Sequence, residues 1–354
     1  MRTIGRRRLI KAMGLGGVGL IAAPGLLAAC GDSDEPSGGS TQPSGGSTEP
    51  SGEAAPATLN VQLGWIANVE NAGPFVAAEK GYYEDENLEV TLTPGGPGAI
   101  LEPTVVSGTA LIGLSSADTI ANANAEGADL VIVGTTLQRN PSAVMSLADS
   151  PVNNPQELEG KRLGLQESGE AIYDAFFRKA GVDASAIEVV PVQFDPAPLV
   201  AGEVDAFAAF QTNQPVALRA QGIDTVSFLL ADFGYNLFAN AFFITRETFE
   251  DDDVRGVVIR WLRATRRGWE DAIADPRAAA EIVVSGPGAD LDLDLDQQTE
   301  TLQELVPLID TPAIADHGLF WMTEDAIAVN VETMNSVGIS VEETLFSNEL
   351  LDAS

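Results

Sequence analysis

One cysteine and one histidine, Cys30 and His317, are all that 354 residues hold of the two side chains most used as metal ligands and nucleophiles. A single thiol cannot close a disulfide within the chain, and it cannot build a cysteine-based zinc or iron–sulfur site. His317, with no second histidine and no cysteine partner, is expected to be a structural or surface side chain. Cations are scarce too: 19 Lys and Arg stand against 52 Asp and Glu, a formal net charge of −33. Such a field repels phosphate backbones and excludes nucleic acid as a partner. The same acidity fits a saline habitat or a surface kept soluble. No GxxxxGK[ST] phosphate cradle occurs, so any ATPase must be a separate chain.

What is present at the N-terminus explains the single thiol. Arg6-Arg7-Arg8-Leu9-Ile10-Lys11 is a twin-arginine pattern, and no acid precedes Asp32, which implies export. From Ala12 to Ala29 the chain is apolar but glycine-rich and broken by Pro24, a poor permanent span and a good export segment. Leu27-Ala28-Ala29-Cys30 is similar to a lipobox, in which the cysteine thiol becomes a thioether to diacylglycerol. The expectation is a signal peptide over 1–29 and a lipid anchor on Cys30, holding the protein to the outer face of the cytoplasmic membrane.

Residues 30–57 read as a linker. The unit PSGGST occurs twice, and no large apolar residue stands between Cys30 and Leu59, so nothing offsets the entropy of ordering. Some 26 residues of such coil reach roughly 25–30 Å.

From Thr58 onward, period-2 and period-3.6 patterns alternate. TLNVQLGW, LEVTLTPGG, LIGLSS and DLVIVGTTL read as strands, with helices AGPFVAAEKGYY, EPTVVSGTA and ADTIANANAEG between them. After Pro151 and Pro155 a second set follows: strands KRLGLQ, IEVVPVQ, DAFAAFQ and TVSFLLAD, helices EAIYDAFFRKAG, APLVAGEV and QPVALRAQG. NAFFITRETF is a further strand, and the remainder is helical, with Asp251–Asp253 a plausible N-cap. The alternation predicts an α/β protein of two lobes with mostly parallel central sheets.

The segments VQLGWIANVENAGPFVAAEKGYYEDENLEVTLTPGGPG, VVSGTALIGLSSADT, PSAVMSLADSPVNNPQELEGKRLGLQ, VVPVQFDPAPLVAGEVDAFAAFQTNQPVALRAQG and ADFGYNLFANAFFITRE resemble, in that order, the extracytoplasmic substrate-binding proteins of ABC importers. The branch is the one handling thiamine-pyrimidine precursors, allied to the nitrate, sulfonate and taurine binders. The resemblance implies a type II periplasmic-binding-protein-like fold whose lobes, 58–148 with 246–354 and 149–245, are joined by a two-strand hinge. It implies a monomeric, non-enzymatic receptor without a cofactor, closing on a small-molecule ligand and serving a permease and ATPase on separate chains. Fungal relatives make the thiamine pyrimidine themselves, but with a cysteine-rich iron-binding run and a catalytic histidine that this chain lacks.

In an open α/β sheet ligands sit at the carboxyl ends of the strands. The candidate binding residues on those loops are Trp65, Asn68, Asn71, Phe75, Ser115, Ser116, Asp118, Asn140, Gln166, Glu167, Tyr173, Phe194, Asp195, Gln211, Asn213, Asp232 and Tyr235; Ser142 follows the same strand as Asn140. Arg139 is the only cation among them. Rings, amides and carboxylates suit a flat aminated heterocycle better than an anion, which wants positive groups or converging N–H donors. An aminopyrimidine-type thiamine precursor is therefore expected, with a flavin such as riboflavin as the alternative and sulfonate, nitrate or taurine behind it. The alternating acids of ADLDLDLDQQ lack the glycine and closing glutamate of a calcium loop, and no metal is expected. Arg255, Arg260, Arg263, Arg266 and Arg267 are expected to form a solvated, ion-paired helix face.

Overall fold

The computed structural model describes residues 55–96 and 99–354. The twin-arginine run, the apolar segment, Cys30 and the linker through residue 54 lie outside the described residues.

The first lobe opens with β1 (Ala57–Gln62), whose Leu59 and Val61 point inward while Thr58 and Asn60 face water. After α1 (Ala72–Glu79) and α2 (Tyr82–Asp85) come β2 (Leu88–Thr93), α3 (Glu102–Val106), β3 (Ile112–Ser115), α4 (Ala117–Ala125) and β4 (Leu130–Leu137). The second lobe carries β5 (Ser142–Leu147), β6 (Arg162–Leu165), α5 (Glu170–Ala180), β7 (Glu188–Pro191), α6 (Ala197–Val200), β8 (Ala206–Phe210), α7 (Gln214–Ala220) and β9 (Thr225–Leu229). The chain then returns through β10 (Ala239–Thr245) to α8 (Arg246–Glu250), α9 (Asp252–Ala274), α10 (Pro276–Ser285), α11 (Leu295–Ile309), α12 (Glu324–Ser336) and α13 (Glu349–Asp352).

Among the described residues the strands form two five-stranded sheets, ordered β2-β1-β3-β10-β4 and β7-β6-β8-β5-β9. In each, four strands share a direction and the fourth in order, β10 or β5, runs against both neighbours. That strand is the first one laid down after the chain crosses between lobes. The crossings are thus residues 138–141 and 230–238. This moves the expected boundaries: β5 belongs to the second lobe, because it pairs with β8 and β9, and β10 to the first, because it pairs with β3 and β4. Hydrophobic pattern marks a strand but does not say which sheet it joins.

Two apolar cores cover opposite faces of the first sheet. One gathers Leu59, Val61, Phe75, Phe242, Trp261 and Trp269 under α1 and α9. The other runs from Ile132 and Phe243 through Phe238 and Tyr235 to Phe176 in the second lobe. The crossing side is therefore packed continuously from one lobe into the other. Asn236 Oδ1 accepts from the Asn140 N–H at 3.1 Å, tying the two crossings together. Helices α1 and α9 meet backbone to backbone: a Cβ on Gly268 would fall 2.1 Å from the Gly73 carbonyl oxygen.

The C-terminal helices bear out the polar readings in part: Arg260 donates to the Glu86 carbonyl and Arg266 to Ser354, so these two are not ion-paired, and all five arginines of α9 are half-buried. Asp251 caps α9, accepting from the N–H groups of Asp253 and Val254 at 3.0 and 3.1 Å. Along α9, Arg255 pairs with Glu349, Arg263 with Glu86, and Arg267 with Asp85, the last lying 3.8 Å over the Tyr82 ring. Asp294 caps α11 through the Gln297 N–H. His317 stacks on Trp321, with ring centroids 4.3 Å apart and planes nearly parallel.

Candidate functional site

A cavity of about 260 Å³ lies between the lobes. From the first lobe, Gly64, Trp65 and Glu70 enter it from the turn after β1, and Asn240 from the start of β10. The second lobe supplies Ser142, Gln166, Tyr173, Phe194, Phe210 and Asn213 among others. Trp65 and Phe194, both half-buried, face each other from opposite lobes with ring centroids 5.0 Å apart and planes at 62°.

Each wall is held by bonds that leave the cavity free. The Tyr173 hydroxyl donates to the Ala143 carbonyl at 2.6 Å, and burial pushes the phenol's pKa well up, so this ring offers a face and no proton. Gln166 Nε2 donates to the Ala208 carbonyl at 3.1 Å. Gln214 accepts from the Phe210 N–H at 2.8 Å and donates to the Phe194 carbonyl at 3.5 Å, fixing two aromatic positions through one amide. Asn240 sits at φ 49°, a left-handed conformation that asparagine tolerates better than most residues. There its Nδ2 donates to the Glu70 carbonyl at 3.4 Å.

Glu70 is the one ionisable acid or base among the residues lining this cavity apart from the Tyr173 phenol. It is 6% exposed. Burial pushes its carboxyl up to about 7, against smaller opposing effects of hydrogen bonds from Asn68 and Asn213. The Asn68 amide holds it twice: Oδ1 accepts from the Glu70 N–H at 3.1 Å, and Nδ2 donates to Oε1 at 3.4 Å. The chemistry available is that of a ring-lined slot with amide groups and one buried carboxyl, and with no lysine or arginine in its wall.

Of the residues the sequence points to, Trp65, Gln166, Tyr173, Phe194 and Asn213 come together in this wall. The others turn elsewhere. Asn68 caps the short turn at residues 69–71, and Asn71 donates to the Ile66 carbonyl. Phe75 is buried in the core beneath α1. Ser115 donates to Glu102, and Ser116 bonds Thr119. Tyr235 donates to Asp118 at 3.4 Å, both buried on the hinge side. Asn140 binds the crossing, with its Oδ1 accepting from the Ser142 N–H. Asp195 caps the start of α6, Gln211 accepts from Ser227, and Glu167 is exposed. Arg139, the expected lone cation, is paired with Asp232 and is not in the wall.

Five lining residues with chemical consequence escape the sequence reading: Glu70, Phe210, Gln214, Asn240 and Gly64. A signal for the first exists, since Glu70 is the sole charged residue between Thr58 and Ala78.

A family model described as NMT1/THI5 like matches residues 68–279. The chain is 27% identical over 288 residues to the riboflavin-binding protein RibY of Chloroflexus aurantiacus, covering 79% of this chain and 81% of that one. It is 26% identical to the formylaminopyrimidine-binding protein of Halalkalibacterium halodurans, with 73% and 80% covered. It is 29% identical to a protein of Legionella pneumophila named 4-amino-5-hydroxymethyl-2-methylpyrimidine phosphate synthase, with 62% and 71% covered. Among solved structures, the alkanesulfonate-binding protein SsuA of Xanthomonas axonopodis pv. citri superposes with a TM-score of 0.57 at 18% identity, covering 82% of this chain and 97% of that one. The fold is that of the SsuA-type periplasmic binding proteins.

Proposed function

The chain belongs to the NMT1/THI5-like family, and on that premise we propose that it is an extracytoplasmic solute-binding receptor of an ABC importer whose ligand is a small aminated heterocycle of the thiamine-precursor pyrimidine type. The observation that carries the ligand class is the wall of the interlobe cavity: Trp65, Phe194, Tyr173 and Phe210 supply ring faces, Glu70 and the amides supply acceptors, and no cation is present to neutralise an anion. A sulfonate or nitrate stripped of water in such a slot would meet a carboxyl and no counter-charge. The size favours one ring over three, because about 260 Å³ lies below the roughly 300–1,000 Å³ usual for larger organic ligands.

A flavin is the second reading, supported by the likeness to a riboflavin-binding relative across 79% of the chain. An enzyme reading has relatives named as a synthase behind it, but the cavity wall offers no lysine, histidine or cysteine as a nucleophile, and Glu70 is its one carboxyl. Binding proteins of two kinds among the relatives support the receptor class instead. Export and a lipid tether on Cys30 complete the proposal, resting on the twin-arginine and lipobox patterns; mass spectrometry of the mature N-terminus tests them.

Thermal denaturation of the folded domain with a 4-aminopyrimidine, riboflavin, taurine and nitrate tests the ligand class. A receptor gains stability from its own ligand in proportion to the logarithm of concentration over Kd. Stabilisation by the aminopyrimidine alone is the expected result, and stabilisation by none of the four would overturn the receptor reading.

A further inference from the structure

We propose that Glu70 sets the specificity of the site by pairing its carboxyl with a ligand edge made of a ring nitrogen beside an amino group, the edge of a 4-aminopyrimidine. The inference rests on the receptor reading above and names the chemistry that the same site selects.

Glu70 is placed as a recognition group rather than a surface acid. It is 6% exposed and lines the cavity. Its backbone is clamped on both sides, by its N–H to Asn68 Oδ1 at 3.1 Å and by its carbonyl to Asn240 Nδ2 at 3.4 Å. These bonds fix the backbone from which the side chain enters the cavity. Its carboxyl receives hydrogen bonds only from the amides of Asn68, 3.4 Å from Oε1, and Asn213, whereas an ionised carboxylate offers about four lone-pair sites. Among the described residues no Lys or Arg pairs with it. A carboxyl this dry and this poorly compensated is a costly thing to keep, and donors carried in by a ligand offset that cost.

A 4-aminopyrimidine edge fits both protonation states. A neutral carboxyl donates its O–H to the ring nitrogen and accepts from the amino group. An ionised carboxylate accepts from the amino group and from the ring nitrogen once that nitrogen holds the proton. The two contacts are the same, and only the proton's side differs, so no net charge need enter the cavity. An oxo-heterocycle presents a carbonyl, an N–H and a second carbonyl in that order, and its outer oxygens crowd an ionised carboxylate, whereas a neutral carboxyl can pair with the N–H and one carbonyl. An anion is repelled outright. In its ionised form the residue thus selects against flavin and sulfonate as well as for the amine.

Isothermal titration of the folded domain with 4-amino-2-methylpyrimidine, 2-methylpyrimidine, riboflavin and taurine tests the assignment. Wild type is expected to bind the amino compound at least 10-fold more tightly than its des-amino analogue. Glu70→Leu, which keeps the bulk and removes both donor and acceptor (a glutamine amide would reproduce them), is expected to lose about 10- to 100-fold for the amino compound, the usual worth of a hydrogen bond to a charged group, and little for the analogue. Equal affinity of wild type for the two pyrimidines overturns the assignment, as does a preference for riboflavin or taurine. That comparison needs no variant, so it stands even where Glu70→Leu does not fold. Binding of none of the four overturns the receptor reading and this assignment together.

Discussion

Trp65 and Phe194 touch across the cleft, edge to face at 5.0 Å, although 129 residues of chain and the whole hinge separate them. One ring follows β1 of the first lobe and the other follows β7 of the second. Such pairs are worth roughly 0.5–1.5 kcal/mol beyond the area they bury, so the contact favours the closed arrangement and places two ring faces at the cavity.

Replacing either ring by alanine removes both a wall and a closing contact. Trp65→Ala and Phe194→Ala are each expected to weaken ligand binding about 10- to 100-fold, in line with the 2 kcal/mol or so typical of a buried aromatic anchor. Both residues are half-buried, so stability should change little. The pair should be less than additive when combined, since one contact is lost in either variant. Fully additive losses by titration calorimetry would show that the rings do not act together.

The two α/β lobes were legible in the sequence because their strands and helices alternate with clean changes of period. What the pattern could not show was membership: β5 and β10 sit on the far side of the crossings from where the expected boundaries placed them. The same two strands explain part of the site that was missed. A rule that looks at carboxyl ends finds Trp65, Gln166 and Phe194, but β5 and β10 run antiparallel and bring their amino ends to the cleft. Asn240 is therefore found only once the topology is known. Glu70 was passed over between Asn68 and Asn71 because the short turn at 69–71 points the middle residue, not its amide neighbours, into the cavity.

Glu70 should also make the ligand-free protein sensitive to pH. Its carboxyl moves from an ordinary 4.5 to about 7 on folding. Between those values the folded chain keeps a proton that the unfolded chain has released, so stability falls as pH rises through that window. Above it the cost is complete, about 3 kcal/mol. Glu70→Gln removes the ionisation, so the variant should match wild type near pH 4 and exceed it by about 3 kcal/mol near pH 8. Urea denaturation of both proteins at the two values isolates the effect, because every other carboxylate is common to them. A difference that does not change with pH would sink the account.

The lobes are also joined by charge. Arg219 on α7 reaches both Glu300 and Glu304 on α11, the latter at 2.8 Å. All three side chains are between a quarter and a half exposed, so each pair is worth only about 0.2–1 kcal/mol. Arg219→Ala should nevertheless open the ligand-free protein, seen as a larger radius of gyration by small-angle scattering, and should weaken binding about 2- to 10-fold. The wild-type affinity should fall with added salt and the variant's should not. Identical scattering curves and salt responses would assign the cluster to the surface alone.

The sharpest test of the fold lies where α9 crosses α1, because that contact sets the position of the turn carrying Trp65 and Glu70. A Cβ at position 268 would stand 2.1 Å from the Gly73 carbonyl oxygen and 2.8 Å from the Ala77 nitrogen, and both obstacles are backbone. Neither can move without separating the helices. Gly268→Ala should therefore cost about 3 kcal/mol or more, the upper range for overpacking, and should lower affinity as α1 is pushed from its seat. Gly256, on the same helix, has nothing within 4 Å of its would-be Cβ. There the substitution only restricts the unfolded chain and favours the helix, so Gly256→Ala should stabilise by roughly 0.5–1 kcal/mol. Opposite signs from one chemical change, read by urea denaturation on a single helix, separate helix propensity from the close approach of α1; equal signs would mean that the two helices do not meet as described.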